Sequence, residues 1–288
     1  MKITFLILLT MILSISISAQ TQVPNQNQSL KEFVQMVTGN KGTNEEKTRK
    51  LVRWINSNFK WSYTDYQKRT VEEIIQRRAG NCAELANVLA ALLKEDNIQF
   101  RWIAEINIQP RRESRLKTAM QKVSENGNRM SVFGLMHNDH VWLEVQNEKD
   151  KSWFPADPAV GVVGMKEWIA ARMKFMNRAI PTIPAVAKVV EEMFVPFVVI
   201  AKETRNSKPT EIRSSFYLID GFNSYYQKKL TKLEAWKEWN KKVSDFADKG
   251  RGAFAGEVNL HEREKEIEEI WQTYEKLKQE AIGKKLAK

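Results

Sequence analysis

The sequence predicts an α+β fold in which a strongly apolar helix packs on an antiparallel sheet, with further helices towards the carboxy terminus. Three observations carry this. Helical stripes preceded by cap residues fill the stretch from Thr43 to about Asn97, period-two alternation begins at Phe100 and returns at His140, and charged amphipathic segments occupy the end of the chain. The chain has 288 residues, 42% of them hydrophobic and 10% aromatic, enough for one large domain with a substantial appendage and unlike a disordered polymer.

The elements follow in order. Lys2, the apolar run Ile3–Leu13 and the small residues ending at Ala19 form the pattern of a secretory signal cleaved after Ala19, so 1–19 reads as a signal peptide. Residues 20–42 are polar, a flexible leader with a short helix around Leu30 to Val37. Thr43 with Glu46 makes a capping box for a helix carrying Leu51, Val52, Ile55 and Phe59 on one face. Thr70 with Glu73 repeats the device ahead of Val71, Ile74 and Ile75, and Gly80 is expected to end that helix. Asn81 is a good N-cap with Glu84 three residues on, so the next helix starts at Cys82. Its stripe, Leu85, Val88, Leu89, Leu92 and Leu93, faces the core, and Asn97 stops it.

Phe100, Trp102, Ala104, Ile106 and Ile108 then share one face of a strand. Pro110 to Asn138 reads as an inserted excursion with a short basic helix around Ser114 to Val123 and a turn at Gly127-Asn128. His140 to Gln146 is a strand with Val141, Leu143 and Val145 on one face and His140, Trp142 and Glu144 on the other. Lys151 to Asp157 is its hairpin partner. Beyond Gly164 the pattern gives helical stretches, a hairpin from Phe194 to Ile219, and charged helices at about Leu230 to Asp248 and Leu260 to Ile282, separated by Gly250, Gly252 and Gly256. The expected division is thus a core at 43–165 and a carboxy-terminal extension at 166–288.

Several function classes fall away on composition. The net charge of +11 favours anionic surfaces such as envelope polymers, yet no zinc-finger spacing, aromatic RNA-binding signature or basic reading helix supports a nucleic-acid partner. After the signal, no segment reaches the roughly 20 apolar residues of a membrane helix. His137 and His140 lack a second cluster, so no metal or other cofactor is implied. The mature protein is expected in the periplasm or outside the cell. A single cysteine in an exported chain cannot form an internal disulfide, which leaves Cys82 either buried and structural or reactive.

Its position favours reactivity. Exposed N–H groups at a helix start favour a thiolate, and the same groups can stabilise an oxyanion. The general base must be one of three histidines. His261 sits in a charged surface helix and His137 in a loop, whereas His140 opens a strand that the Val141 face anchors. If Asn147–Asp150 is a four-residue loop, Gln146 pairs with Lys151, Leu143 with Phe154, Val141 with Ala156, and His140 lies across from Asp157. A carboxylate there would hold the imidazole tautomer and stabilise its charged form. Taken alone, Asp157 is a turn residue before Pro158.

Gly80-Asn81-Cys82-Ala83-Glu84 leading into an apolar helix, then His140-Val141-Trp142-Leu143-Glu144-Val145, then Trp153-Phe154-Pro155-Ala156-Asp157-Pro158, resembles the transglutaminase-like superfamily over about Asn44 to Gly164. The resemblance implies a papain-like core and a Cys82, His140, Asp157 triad acting through a thioester. It also implies an aromatic side chain near the oxyanion, with Trp61 the first candidate and Tyr63 the second. The expected function is an exported cysteine hydrolase or peptidase acting on a protein or peptide-type amide. The alternatives are acyl transfer to an amine, or a non-catalytic binding or scaffold protein whose carboxy-terminal helices (Trp236, Trp239, Trp271, Tyr274) contact a partner or pack on themselves.

Overall fold

The computed structural model describes residues 24, 28–39, 41–62, 67–105, 140–173, 175, 199–202, 209–212, 217–255 and 260–286. The signal segment, the excursion from Pro110 to Asn138, His137 and Tyr63 lie outside the described residues. The elements are α1 (Leu30–Thr38), α2 (Asn44–Asn58), β1 (Lys60–Trp61), α3 (Val71–Arg77), β2 (Ala79–Gly80), α4 (Cys82–Glu95), β3 (Phe100–Glu105), β4 (His140–Gln146), β5 (Trp153–Asp157), β6 (Val162–Val163), α5 (Met165–Met173), β7 (Val199–Lys202), β8 (Pro209–Ile212), α6 (Tyr217–Leu230), α7 (Glu234–Ala255), a 3-10 turn (Leu260–Arg263) and α8 (Glu264–Gly283). Among the described residues no helix is long and apolar enough to cross a membrane.

The chain forms two compact units, the first from residues 1–100, 143–163 and 182–186, the second from 101–142, 164–181 and 187–288. In the first, α1 to α4 each begin with a capping box, at Ser29/Glu32, Thr43/Glu46, Thr70/Glu73 and Asn81/Glu84. Each satisfies two backbone groups that would otherwise be orphaned at a helix start. The apolar stripes then meet. Phe33 of α1 lies edge-on to Trp54 of α2 at 4.7 Å, and Trp54 meets Phe59 at 5.4 Å. Leu85, Val88, Leu89, Leu92 and Leu93 of α4 are fully buried, each stabilising by about 1.5–3 kcal/mol. Asn44 Nδ2 donates to the Gln146 carbonyl at 2.9 Å, and Arg49 donates to the Val163 carbonyl at 2.9 Å, so α2 is tied to β4 and β6 as well as packed.

Two expectations are corrected here. Gly80 does not end α3: the helix stops at Arg77, and Arg78 takes the left-handed conformation (φ 50°), its N–H donating to Ile74 and Ile75 carbonyls. Gly80 instead belongs to β2. The β4–β5 register also differs by two residues, pairing Leu143 with Ala156, Val145 with Phe154 and Gln146 with Trp153. The cause is a longer loop. Asn147 N–H donates to the Ser152 carbonyl at 2.8 Å, Asn147 Oδ1 accepts from Lys149 N–H, and Lys151 adopts φ 60°. A shift of two preserves which face each side chain occupies. On its other edge β5 pairs antiparallel with β6.

In the second unit β3 pairs antiparallel with β7, and β7 with β8, giving the expected hairpin in shorter form. β3 is not one-faced, because Ile103 is as fully buried as its neighbour Trp102 is nearly so. α6 was not expected from the sequence, although Ile219, Phe222, Tyr226 and Leu230 recur at helical spacing and are all fully buried. Nor do Gly250 and Gly252 separate the last helices, since α7 runs through both to Ala255. Trp236, Trp239 and Tyr274 pack inward with Phe175 and Phe222, so the carboxy-terminal aromatics form this unit's own core. Trp239 Nε1 donates to Asn223 Oδ1 at 2.8 Å, and Asn223 Nδ2 to Asn240 Oδ1 at 3.0 Å, which joins α6 to α7.

Candidate active site

Cys82 is the first residue of α4 and is partly exposed. Its position is set by local hydrogen bonding. Asn81, in extended conformation, accepts the Ala83 N–H at 3.0 Å and the Glu84 N–H at 3.1 Å through Oδ1, while its own N–H donates to Glu84 Oε2 at 3.0 Å. The Leu85 N–H closes the first helical bond to the Asn81 carbonyl at 2.9 Å. The cap thus takes two of the first-turn N–H groups that the sequence offered as oxyanion donors.

Gly80 is required by packing. A Cβ there would lie 2.9 Å from Glu84 Cβ and 3.3 Å from Leu85 Cδ2, closer than a side chain tolerates. β1 runs parallel beside this strand, with Lys60 N–H donating to the Arg78 carbonyl and Ser62 N–H to the Gly80 carbonyl, both at 2.9 Å. The ladder sets Trp61 opposite Gly80, two residues before the thiol. Of the two aromatic candidates, Trp61 therefore lies on the strand beside the Cys82 helix start.

Glu84 is buried, with 4% of its surface exposed, yet it is not isolated. Arg69 donates to Oε1 at 2.8 Å and the Arg77 guanidinium lies 3.8 Å from Oε2. The cap role of Glu84 was legible in sequence. Its pairing with Arg69 was not, because nothing local marks a partner from the loop before α3.

Asp157 ends β5 and is fully buried. Its Oδ1 accepts from Ala159 N–H at 2.9 Å and Val160 N–H at 3.3 Å, and its carbonyl from Gly161 N–H at 2.8 Å, Gly161 having φ 76°. This Asx turn carries the chain across Pro158 into β6. His140 opens β4 in the second unit and is buried. Its ring lies nearly parallel to the indole of Trp168 (15°, centroids 6.3 Å apart), and Trp168 in turn packs on Trp142 at 4.4 Å. Trp168 is fully buried and was missed in the sequence, where α5 shows only a weak apolar stripe. His140, Trp142 and Glu144, which share one face of β4, are all buried. Among the described residues no cluster of three or more His, Cys, Asp or Glu could hold a metal.

Comparison with known proteins gives the following. The family model of the transglutaminase-like superfamily matches residues 31–158, which include Cys82, His140 and Asp157. No curated protein matches the chain. A solved structure from Cytophaga hutchinsonii, described as "a Putative Cysteine Protease", is similar at 15% identity and a TM-score of 0.33, over 51% of this chain and 44% of that one. The chain therefore spans less than half the length of that protein. The segment that matches the transglutaminase-like superfamily model, residues 31–158, is the one that carries helices α1 to α4 and strands β1 to β5.

Proposed function

We propose that the protein is an exported cysteine hydrolase that cleaves amide bonds of protein or peptide-type substrates, with Cys82 as nucleophile, His140 as general base and acid, and Asp157 as the group that orients His140. The observation that carries this reading is the capped, partly exposed start of α4, occupied by the chain's only thiol inside the matched segment. The positive end of the helix dipole favours the thiolate there.

In the proposed reaction the Cys82 thiolate attacks the amide carbonyl carbon and the electron pair moves onto oxygen. The Cys82 N–H and the Trp61 indole are assigned to that oxyanion, since Asn81 occupies the Ala83 and Glu84 N–H groups. The His140 imidazolium gives its proton to the leaving nitrogen, the C–N bond breaks, and a thioester remains. His140 then removes a proton from water, hydroxide attacks the thioester, and the carboxylic acid leaves as Cys82 is restored. Asp157 Oδ1 holds the turn, so Oδ2 is the oxygen assigned to the imidazole. An amine in place of water would give acyl transfer instead. Export rests on the signal pattern of residues 1–19, and amino-terminal sequencing of the secreted product should begin at Gln20.

The test is alkylation of the purified protein with iodoacetamide across pH, beside His140→Ala, followed by cleavage of envelope peptide extracts with and without Cys82. Rapid labelling near neutral pH that His140→Ala slows by about tenfold or more, with product formation lost in Cys82→Ala, is the expected result. An ordinary thiol profile indifferent to His140→Ala would leave a binding or scaffold role.

A further inference from the structure

The sequence from Gly80 to Glu84 places a carboxylate one helical turn from the proposed nucleophile, and that carboxylate is buried. A negative charge held so close would oppose formation of a thiolate at Cys82. Glu84 is nonetheless built into the site: Oε2 accepts the Asn81 N–H at 3.0 Å, and the Gly80 backbone packs directly on its stem. What offsets its charge is Arg69, whose side chain is 14% exposed and whose guanidinium donates to Oε1 at 2.8 Å and to Gln67 Oε1 at 3.1 Å. Arg77, at 3.8 Å and more exposed, adds a weaker second cation.

We infer that Arg69 is a positioning residue for the Cys82 nucleophile: it neutralises Glu84, so that the cap can hold the thiol at the helix start without setting a net negative charge beside it. This rests on the reading of Cys82 as a reactive thiolate. Arg69 acts on the thiol through Glu84. Arg69 from the preceding loop and Arg77 from α3 both bring positive charge to this end of α4, and the proposed mechanism adds His140. The Lys47–Asp96 pair lies at the other end of the helix, about 20 Å along its axis, too far to set the balance here.

The experiment is a charge cycle read by the pH dependence of iodoacetamide labelling at Cys82, with thermal melting followed in parallel. Arg69→Gln should raise the labelling midpoint by on the order of 1 pH unit, Glu84→Gln should lower it, and the double variant should return it close to the parent value. Arg69→Lys, which keeps the charge without the planar fork, should restore most of the profile. Midpoints that stay unchanged across folded variants while melting temperatures fall would overturn the inference and leave Arg69 purely structural. Should Arg69→Gln not fold, the shift in Glu84→Gln and its reversal in the double variant decide the matter alone. These outcomes separate from the proposed function itself, which fails if His140→Ala leaves labelling unchanged whatever the Arg69 series shows.

Discussion

Asp157 is a turn former in the structure and, in the proposed mechanism, the partner of an imidazole. As a turn former it needs only an acceptor at Oδ1, which an amide provides equally well; as the partner of an imidazole it needs its charge. Asp157→Asn should therefore keep the fold, judged by an unchanged melting temperature, while slowing Cys82 alkylation and turnover by about tenfold or more. Silence in both measurements would make Asp157 a turn residue only. Gly80 offers a second check. Gly80→Ala drives a methyl group to within 2.9 Å of Glu84 Cβ, and should cost about 1–3 kcal/mol in urea denaturation while also slowing labelling of the thiol. Both residues stood out in the sequence for their place in a motif. Why Gly80 must be glycine emerged only when the strand it occupies was seen packed on the helix that follows it.

The four capping boxes are the elements most plainly written in the chain, because every bond in them spans two or three residues. Asn81→Ala should cost about 1 kcal/mol in urea denaturation, the usual loss on removing an N-cap acceptor. Strand register was legible in parity but not in value. Face alternation is indifferent to a shift of two, and the hydrogen bonds that close Asn147 onto Ser152 choose between the alternatives. α6 was legible in principle from its stripe at Ile219, Phe222, Tyr226 and Leu230, yet Gly221 and the flanking aromatic residues disguise it. A Cβ at Gly221 would meet the flexible end of the Met165 side chain on α5, which can swing aside.

At the scale of the whole molecule, the carboxy-terminal helices are held by an aromatic core more than by the charges on their surface. Lys276–Glu238 and Lys241–Asp245 are exposed pairs, screened by solvent, of the kind that contribute little. Burial matters more. It pushes the Tyr226 phenol up to about 12 and raises that of Tyr274 well above its ordinary value. An acid whose folded pKa is raised keeps its proton in the native state after the unfolded chain has lost it. The resulting stability is complete below about pH 10 and is lost as pH climbs through about 12. Phenolate absorbance should therefore rise late in alkaline titration, together with loss of helical circular dichroism. The Tyr226 hydroxyl is buried without a hydrogen-bond partner among the described residues, so Tyr226→Phe should match or exceed the parent in stability and reduce that late rise.

By itself the sequence determined where α1 to α4 begin, which thiol is present and where on its helix it stands, and which stripes face a core. Caps and periodicity act over one to a few turns, so they are complete in a short window of residues. Tertiary structure decided what depends on partners distant along the chain: the two-residue register of β4 on β5, the burial of the His140 face of β4 under Trp168, and the pairing of Glu84 with Arg69. Burial of a strand face and neutralisation of a buried charge are properties of what packs alongside, and no local pattern carries that information.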